Sequence, residues 1–219
     1  MTGPGDTELA AMLAAHRRQL TDLLAALSPA DWDRPSLCAG WRVREVTAHI
    51  LMPLRYRPAR FLAELARAGG NFDRMANRAA RRDGAVPPPE LVAALREREH
   101  TVWKPPGGEP SAGLTHDVVH GQDIAVALGL DLPVPEDTMR VVLATFTPGL
   151  IRKHFGVDLA GTELRADDID WSFGSGSSGG PGGSGGSGQV LSGSASDLAL
   201  VLCGRALPAG RLPGAGHRS

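Results

Sequence analysis

Apolar residues recur every three or four positions along the first 155 residues, a pattern typical of amphipathic helices that bury one face. The pattern predicts helices at about 7–27, 43–68, 71–83, 87–103, 115–129 and 136–154. Pro53 and Pro58 should kink or interrupt the second helix, because proline removes a backbone donor and clashes with the preceding turn. Gly129 is expected to end the fifth helix.

The apolar period changes to two from Thr162 onward, which indicates short strands. We predict strands in TELRA, IDWSF and QVLSG and a capped helix from Ser194 to Leu202. Residues 174–188 are almost all Gly and Ser, which predicts a flexible insertion. The segment lacks the GxxxxGK[ST] motif, so it is not expected to be a phosphate-binding loop. The expected organisation is a helical domain at 1–155 and a small α+β lobe at 156–219.

The helix predicted around THDVVHGQDIAVALG carries two histidines and a carboxylate at helical spacing. His116 and His120 stand four residues apart, so both imidazoles lie on one face and can share a metal ion. Asp123 follows one turn later and is expected to accept the second ring N–H of a ligating histidine. A catalytic site needs a third ligand, and His49 is the best candidate. A lone helical histidine is more often a packing residue, so this interpretation of His49 depends on the pair.

Two further features have competing interpretations. Arg74, Arg78 and Arg82 are spaced four apart and form a stripe on one helix face. The stripe is either a solvated surface or a rim that binds carboxylates through bidentate guanidinium contacts. Cys38, just before a Gly-Trp pair, could be a nucleophile or an extra metal ligand, but we interpret it as a buried structural thiol because no base is visible beside it.

Composition narrows the function and the compartment. The chain has 219 residues and is 42% hydrophobic, as is usual for a globular protein. Its net charge of −1 provides no excess of basic residues, so we do not expect it to bind nucleic acid. Its 21 arginines against 2 lysines are typical of a GC-rich bacterial genome. The two cysteines are far apart in sequence and predict no disulfide framework. No apolar run approaches 18 residues and no signal peptide is visible, so we expect a cytoplasmic protein that does not bind membranes.

Several segments resemble the mycothiol-dependent maleylpyruvate isomerase family, within the DinB-like superfamily of metal-binding helical bundles. GWRVREVTAHIL is similar to its Gly-Trp-x-Val-x-(Asp/Glu)-Val-x-x-His-Leu segment, and THDVVHGQDIAVALGL is similar to the segment with the other metal ligands. NFDRMANRAAR and PPPELVAALR resemble the two helices that lie between them, and DDIDWSFG and LSGSASDLALVLCGR resemble the C-terminal lobe.

The resemblance implies a mainly α fold, a four-helix bundle with a small C-terminal α+β lobe, in an actinobacterial protein. It implies a divalent cation, usually zinc, held by His49, His116 and His120, with mycothiol as a thiol cosubstrate. Arg74, Arg78 and Arg82 would then hold carboxylates of the cofactor or of the substrate, a small electrophilic acid. The isomerase pattern has Glu where this chain has His116. Three neutral imidazoles leave the site at +2, which favours an anionic thiolate or hydroxide.

The resemblance leaves the reaction open between isomerisation and thiol transfer. Two other functions fit the same residues: a non-catalytic metal- and thiol-binding bundle in stress response or regulation, and a metal-dependent hydrolase that uses bound hydroxide. The expected partners are a small-molecule thiol and an electrophile, and the chain is expected to be a monomer or a homodimer.

Overall fold

The computed structural model describes residues 4–105, 107–174 and 189–212. They form two compact units, one that ends at Val134 and one that begins at Pro135. Both units are mainly helical, and the second also contains a small three-stranded sheet. The expected mainly α fold class is therefore confirmed.

The first unit contains six α-helices and one 3₁₀ turn at Asp31–Asp33. The helices are α1 (Asp6–Ala25), α2 (Val43–Arg55), α3 (Pro58–Arg67), α4 (Phe72–Asp83), α5 (Pro88–Glu97) and α6 (Ser111–Leu128). The helices α1 and α2 each pack against both α5 and α6, which closes a four-helix bundle. On the outside, α4 packs against α2 and α3 packs against α4.

Two of these helices differ from the prediction. The predicted helix at 43–68 is two helices: Pro53 lies inside α2, and the break comes at Pro58, the first residue of α3, where no backbone donor is needed. The predicted helix at 87–103 ends at Glu97. Beyond it, the carbonyls of Arg98, Glu99 and Thr101 accept hydrogen bonds from a buried guanidinium on α1 instead of continuing the helix.

The core of the first unit is built from the apolar stripes of the bundle helices. Leu20 on α1, Ile50 on α2, Leu95 on α5 and Ile124 on α6 are all fully buried in one cluster. The helix α6 ends at Gly129, whose φ of +71° lies in the left-handed region that glycine adopts without strain. The apolar periodicity of the sequence is thus the periodicity of this core.

The second unit begins with α7 (Glu136–Ala144) and the short α8 (Pro148–Leu150), which continues as a π-helical turn at Ile151–Phe155. The sequence predicted a single helix at 136–154. It is broken because Pro148 starts a new helix and the Thr147 hydroxyl accepts a hydrogen bond from the amide of Leu150, at 3.2 Å.

The sheet contains β1 (Thr162–Ala166), β2 (Ser172–Gly174) and β3 (Gln189–Gly193), followed by α9 (Ala195–Leu202). The central strand β1 pairs antiparallel with β2 and parallel with β3. Leu164 is fully buried and pairs with Phe173 and Leu191. The strands predicted in TELRA and QVLSG and the Ser194 cap of α9 are confirmed, whereas the strand predicted in IDWSF begins only at Ser172. Apart from Gly174, the predicted Gly/Ser insertion at 174–188 lies outside the described residues.

The division between the units falls after Val134, whereas the sequence analysis set it near residue 155. The reason is that α7 packs against α9. The Ser196 hydroxyl lies 3.7 Å from the Met139 sulfur, and Arg140 donates to the carbonyl of Asp170 at 3.0 Å. These contacts join α7 to the sheet-bearing unit.

Within the described residues, every helix is too short or too polar to cross a lipid bilayer.

A close backbone approach between α6 and the segment before it gives a test of the fold. A Cβ atom added at Gly113 would lie 2.5 Å from the carbonyl oxygen of Trp103. Because backbone cannot give way as a side-chain tip can, we expect Gly113→Ala to lower the free energy of unfolding by about 1–3 kcal/mol in a urea titration. Gly149→Ala is the control, since no atom lies within 4 Å of its added Cβ. Equal stability of the two variants would contradict the close approach.

Candidate metal centre

Three histidines of the first unit converge where α2 packs against α6. The ring centroid of His49 lies 5.0 Å from that of His116 and 4.9 Å from that of His120. The His116 and His120 centroids are 4.7 Å apart. One nitrogen from each of the three rings lies within 4.8 Å of the others. Helical spacing places His116 beside His120, and the helix packing adds His49.

The cluster is buried on the side of α2 and partly open on the side of α6. His49 is 7% exposed, whereas the side chains of His116 and His120 are 17% and 12% exposed. His49 and His116 also line a cavity of about 430 Å³. A small molecule in this cavity would therefore touch the cluster directly.

Two aspartates on α6 determine which nitrogens the cluster presents. Asp117 Oδ1 lies 2.9 Å from His116 Nδ1, and Asp123 Oδ2 lies 2.9 Å from His120 Nδ1. An ionised carboxylate can only accept hydrogen bonds, so each Nδ1 carries the proton. The lone pair of each Nε2 is then left for a metal ion, the usual arrangement for a ligating histidine.

Asp117 is in turn held by Arg17, a fully buried arginine of α1. Arg17 Nε donates to Asp117 Oδ2 at 2.6 Å, and neither side chain is exposed to solvent. Burial alone would raise the pKa of Asp117, but its hydrogen bond to His116 and the charge of Arg17 keep the pKa below its ordinary value. Asp117 therefore stays an acceptor for His116 at neutral pH.

Cys38 lies beside the cluster, contrary to its interpretation as a thiol with no base nearby. Its sulfur is 3.2 Å from Asp123 Oδ2 and 3.8 Å from His120 Nδ1. The loop that carries it is anchored on α6 by a hydrogen bond from the amide of Leu37 to the carbonyl of Asp123, at 3.0 Å. Cys38, His120 and Asp123 form a second group of metal-ligating types that shares His120 with the first.

Two tryptophans pack against the cluster from different sides. The Trp41 ring lies 4.8 Å from that of His49, and its Nε1 donates to Asn77 of α4 at 2.7 Å. The Trp103 ring meets His116 edge-on at 5.1 Å. Both rings limit the access of water to the histidines, which strengthens electrostatic interactions at the site.

The comparison with family profiles matches residues 13–103 to the mycothiol maleylpyruvate isomerase N-terminal domain. This part of the chain is similar to that domain, which supports the resemblance to the family drawn from the sequence. The matched region includes His49 and ends before α6, so it does not reach His116 or His120.

Two solved structures show the same fold as this chain. One is a mycothiol-dependent maleylpyruvate isomerase in a histidine-to-alanine mutant form, with a TM-score of 0.60, 16% identity and coverage of 94% of this chain and 93% of that chain. The other is the mycothiol-dependent maleylpyruvate isomerase, with a TM-score of 0.58, 17% identity and coverage of 98% and 96%. The comparison with curated proteins finds no match.

The three arginines of the predicted carboxylate rim lie on α4 and bind protein groups of α3, of the residue that follows α3, and of α4 itself. Arg82 contacts the carboxylates of Glu64 and Asp83, each at 2.8 Å. Arg74 donates to the carbonyl of Ala68 at 3.3 Å, and Arg78 donates to the carbonyl of Arg67 at 3.1 Å. Among the residues that the structure describes, none of the three lines the cavity beside the histidines. Their role in carboxylate binding stays a prediction.

The sequence analysis did not single out Arg17, Asp117 or a site role for Cys38. A signal existed for Arg17, because a charged residue on the buried face of a helix implies a buried partner. Asp117 lies next to His116 and is equally unusual in a buried helix. No local signal identifies Cys38, since its neighbours Asp123 and His120 are more than 80 residues away.

The buried ion pair gives a test of this description. Asp117→Ala leaves the Arg17 charge buried without its carboxylate, so we expect a loss of about 3–5 kcal/mol in the free energy of unfolding. In Glu136→Ala, a control on the solvent-exposed pair with Arg140, the loss should stay below about 1 kcal/mol. Urea denaturation followed by circular dichroism measures both.

A double variant tests whether the unpaired buried charge causes the loss of stability. Arg17→Met combined with Asp117→Leu removes both buried charges, so we expect it to recover part of the stability that Asp117→Ala loses. A single-variant loss no larger than that of Glu136→Ala would contradict the role of the pair.

Proposed function

We propose that this protein is a metal-dependent enzyme that uses the thiol of mycothiol to isomerise a small electrophilic acid. The observation that carries the proposal is the convergence of three imidazoles, two with their tautomers set by carboxylates, at the inner end of a cavity. The similarity of residues 13–103 to a domain named for mycothiol and maleylpyruvate isomerisation supports the thiol and the reaction class.

The residues fit a divalent ion. Nitrogens that bind one zinc ion at about 2.0–2.1 Å are roughly 3.4 Å apart in a tetrahedral site. The histidine nitrogens already lie within 4.8 Å of one another, so small side-chain rotations bring them into register. Three neutral imidazoles favour zinc and leave a position for an exogenous ligand. His49, His116 and His120 would hold the ion, with Asp117 and Asp123 behind two of them.

A bound divalent ion would supply the Lewis acidity that lowers the pKa of the cofactor thiol and keeps thiolate available at neutral pH. The aspartates hold His116 and His120 in one tautomer and one orientation. Trp41 and Trp103 restrict water around the cluster, and the cavity beside His49 and His116 holds the electrophile against it.

The reaction itself needs little acid–base chemistry. The thiolate sulfur forms a bond to one alkene carbon of a cis acid, and the π electrons move to the conjugated carbonyl oxygen. The former double bond is then single and rotates. When the electrons return, the carbon–sulfur bond breaks, and the trans acid and the thiolate are released. Because no net proton transfer occurs, the cycle needs no dedicated general base.

The other functions differ in what they consume. Thiol transfer would retain the carbon–sulfur bond and use one thiol per turnover. A hydrolase would act without any thiol, through bound hydroxide. A non-catalytic bundle would bind the metal and the thiol and turn over nothing.

Metal content tests the ligand set. We expect about one zinc or similar ion per wild-type chain after reconstitution of untagged protein, because a three-histidine site binds such ions tightly. His120→Ala should lose the ion, measured by elemental analysis after gel filtration. His100→Ala is the matched control, since His100 is exposed and remote from the cluster.

Turnover tests the reaction. The metal-loaded protein should convert maleylpyruvate or a related cis acid to its trans isomer with mycothiol present in catalytic amount. Consumption of one thiol per substrate molecule would indicate thiol transfer. Hydrolytic cleavage of the acid without thiol would indicate a hydrolase. A wild-type protein that stays metal-free after reconstitution would overturn the proposal and favour a bundle with another role.

A further inference from the structure

The cavity that reaches His49 and His116 has walls that are almost entirely apolar. It is formed by side chains of α2, α3 and α4 and by residues 103–105, and it has a volume of about 430 Å³. Three prolines contribute to the walls, and the larger wall residues are Met52, Tyr56, Phe61, Leu62, Phe72 and Trp103. This volume suits a small organic acid with a ring or a short alkyl chain.

Part of this apolar surface is open to solvent. Leu62 is 63% exposed and Phe72 is 48% exposed, although both are large hydrophobic residues. No residue of α3 is fully buried, and Phe61 and Leu65 of this helix are partly buried against a small core cluster. Apolar side chains that face a cavity of this kind gain burial when an apolar group enters.

The hydroxyl of Tyr56, a residue of the cavity wall, is hydrogen-bonded to side chains of α4. Its hydroxyl donates to Asp83 Oδ2 at 2.6 Å and accepts a hydrogen bond from Arg82. Arg60 stacks on the Tyr56 ring, with 3.9 Å from the guanidinium carbon to the ring centroid. The hydroxyl therefore already has its hydrogen-bond partners on α4, and Tyr56 contributes its ring to the cavity wall.

Charge in the lining is limited to one side chain. Among the described residues that line the cavity, Lys104 alone carries a full charge at neutral pH, the two histidines aside. Lys104 is exposed, so it lies at the solvent side, away from the buried end near His49. The chain is rich in arginine, yet its guanidinium groups are absent from this described lining.

These features select among ligands. A dicarboxylate placed here would lose the hydration of two charges and find one ammonium group in return, which is unfavourable. The sugar groups of a thiol such as mycothiol also need hydrogen-bond partners that these walls do not offer. An aromatic or alkyl substituent would instead gain free energy from burial against the same walls.

We propose that the cavity binds a monocarboxylate electrophile: a cis-configured, α,β-unsaturated keto acid whose acyl group is aromatic or alkyl. The acyl group packs among Phe61, Leu62 and Phe72, and the single carboxylate faces Lys104. This assignment of a substrate class rests on the proposed thiol-dependent isomerisation. It separates the substrate from the dicarboxylate maleylpyruvate while keeping the same reacting double bond.

Competing substrates test the proposal. The metal-loaded full chain is assayed with mycothiol on cis-4-oxo-4-phenylbut-2-enoate and on maleylpyruvate, which share the reacting double bond and differ in the acyl substituent. We expect kcat/KM to be higher for the phenyl acid by about tenfold or more. A preference for maleylpyruvate would overturn the substrate class and leave the proposed function intact. No thiol-dependent turnover of either acid would overturn the proposed function.

Binding of an unreactive acid tests the cavity without turnover. Isothermal titration with 4-oxo-4-phenylbutanoate, which has no double bond to react, should show tighter binding than the same titration with the saturated counterpart of maleylpyruvate, a dicarboxylate. Leu62→Glu should weaken binding of the phenyl acid by about tenfold, because it places a carboxylate in the apolar wall. Leu130→Glu is the control, since Leu130 is 40% exposed and does not line this cavity.

A third variant tests whether the Lys104 ammonium group contributes to binding of the carboxylate. Lys104→Gln should weaken binding of the phenyl acid several-fold, because it removes an exposed charge. Unchanged affinity in Leu62→Glu, or equal affinity of the wild-type chain for the two saturated acids, would contradict the proposed substrate class.

Discussion

The carboxylate of Asp117 links the histidine cluster to the packing of the bundle. One of its oxygens accepts from His116, and the other accepts from the buried Arg17 of α1. Arg17 also donates to the carbonyls of Arg98 and Thr101, just beyond the end of α5. One arginine therefore joins the segment after α5 to α1 and also holds the carboxylate that orients a candidate ligand on α6. Since buried charges are stable only when paired and hydrogen-bonded, the ligand geometry and the stability of the bundle depend on one another.

The site and the cavity divide the chemistry between them. The inner end offers imidazole nitrogens with carboxylates behind two of them, which suits a metal ion and an anionic thiolate. The walls offer rings and alkyl groups, which suit the uncharged part of an electrophile. Cys38 adds a thiol that contacts the carboxylate of Asp123, so His120 shares its carboxylate with a cysteine, whereas His116 shares its carboxylate with an arginine.

Contacts within one helix were predictable from the sequence, and contacts between helices mostly were not. The neighbourhood of His116, His120 and Asp123 follows from the 3.6-residue repeat, as do the core stripes of α1 and α6. The pairing of Arg17 with Asp117 spans 100 positions, and no periodicity encodes it. The bonds from Arg17 to the carbonyls just beyond α5 span more than 80 positions and are equally hidden from the apolar pattern. In the second unit, the Thr147–Pro148 pair broke a helix that hydrophobic spacing alone had extended.

The most direct measurement is the electronic absorption spectrum of the cobalt(II)-substituted protein before and after addition of mycothiol. Intense visible bands of a four- or five-coordinate ion are expected for three imidazoles and one exchangeable ligand. If thiolate binds the open position, a sulfur-to-cobalt charge-transfer band should then appear, and it should be absent in His120→Ala. A spectrum of six-coordinate cobalt that mycothiol leaves unchanged would contradict the thiol-binding metal site on which the account depends.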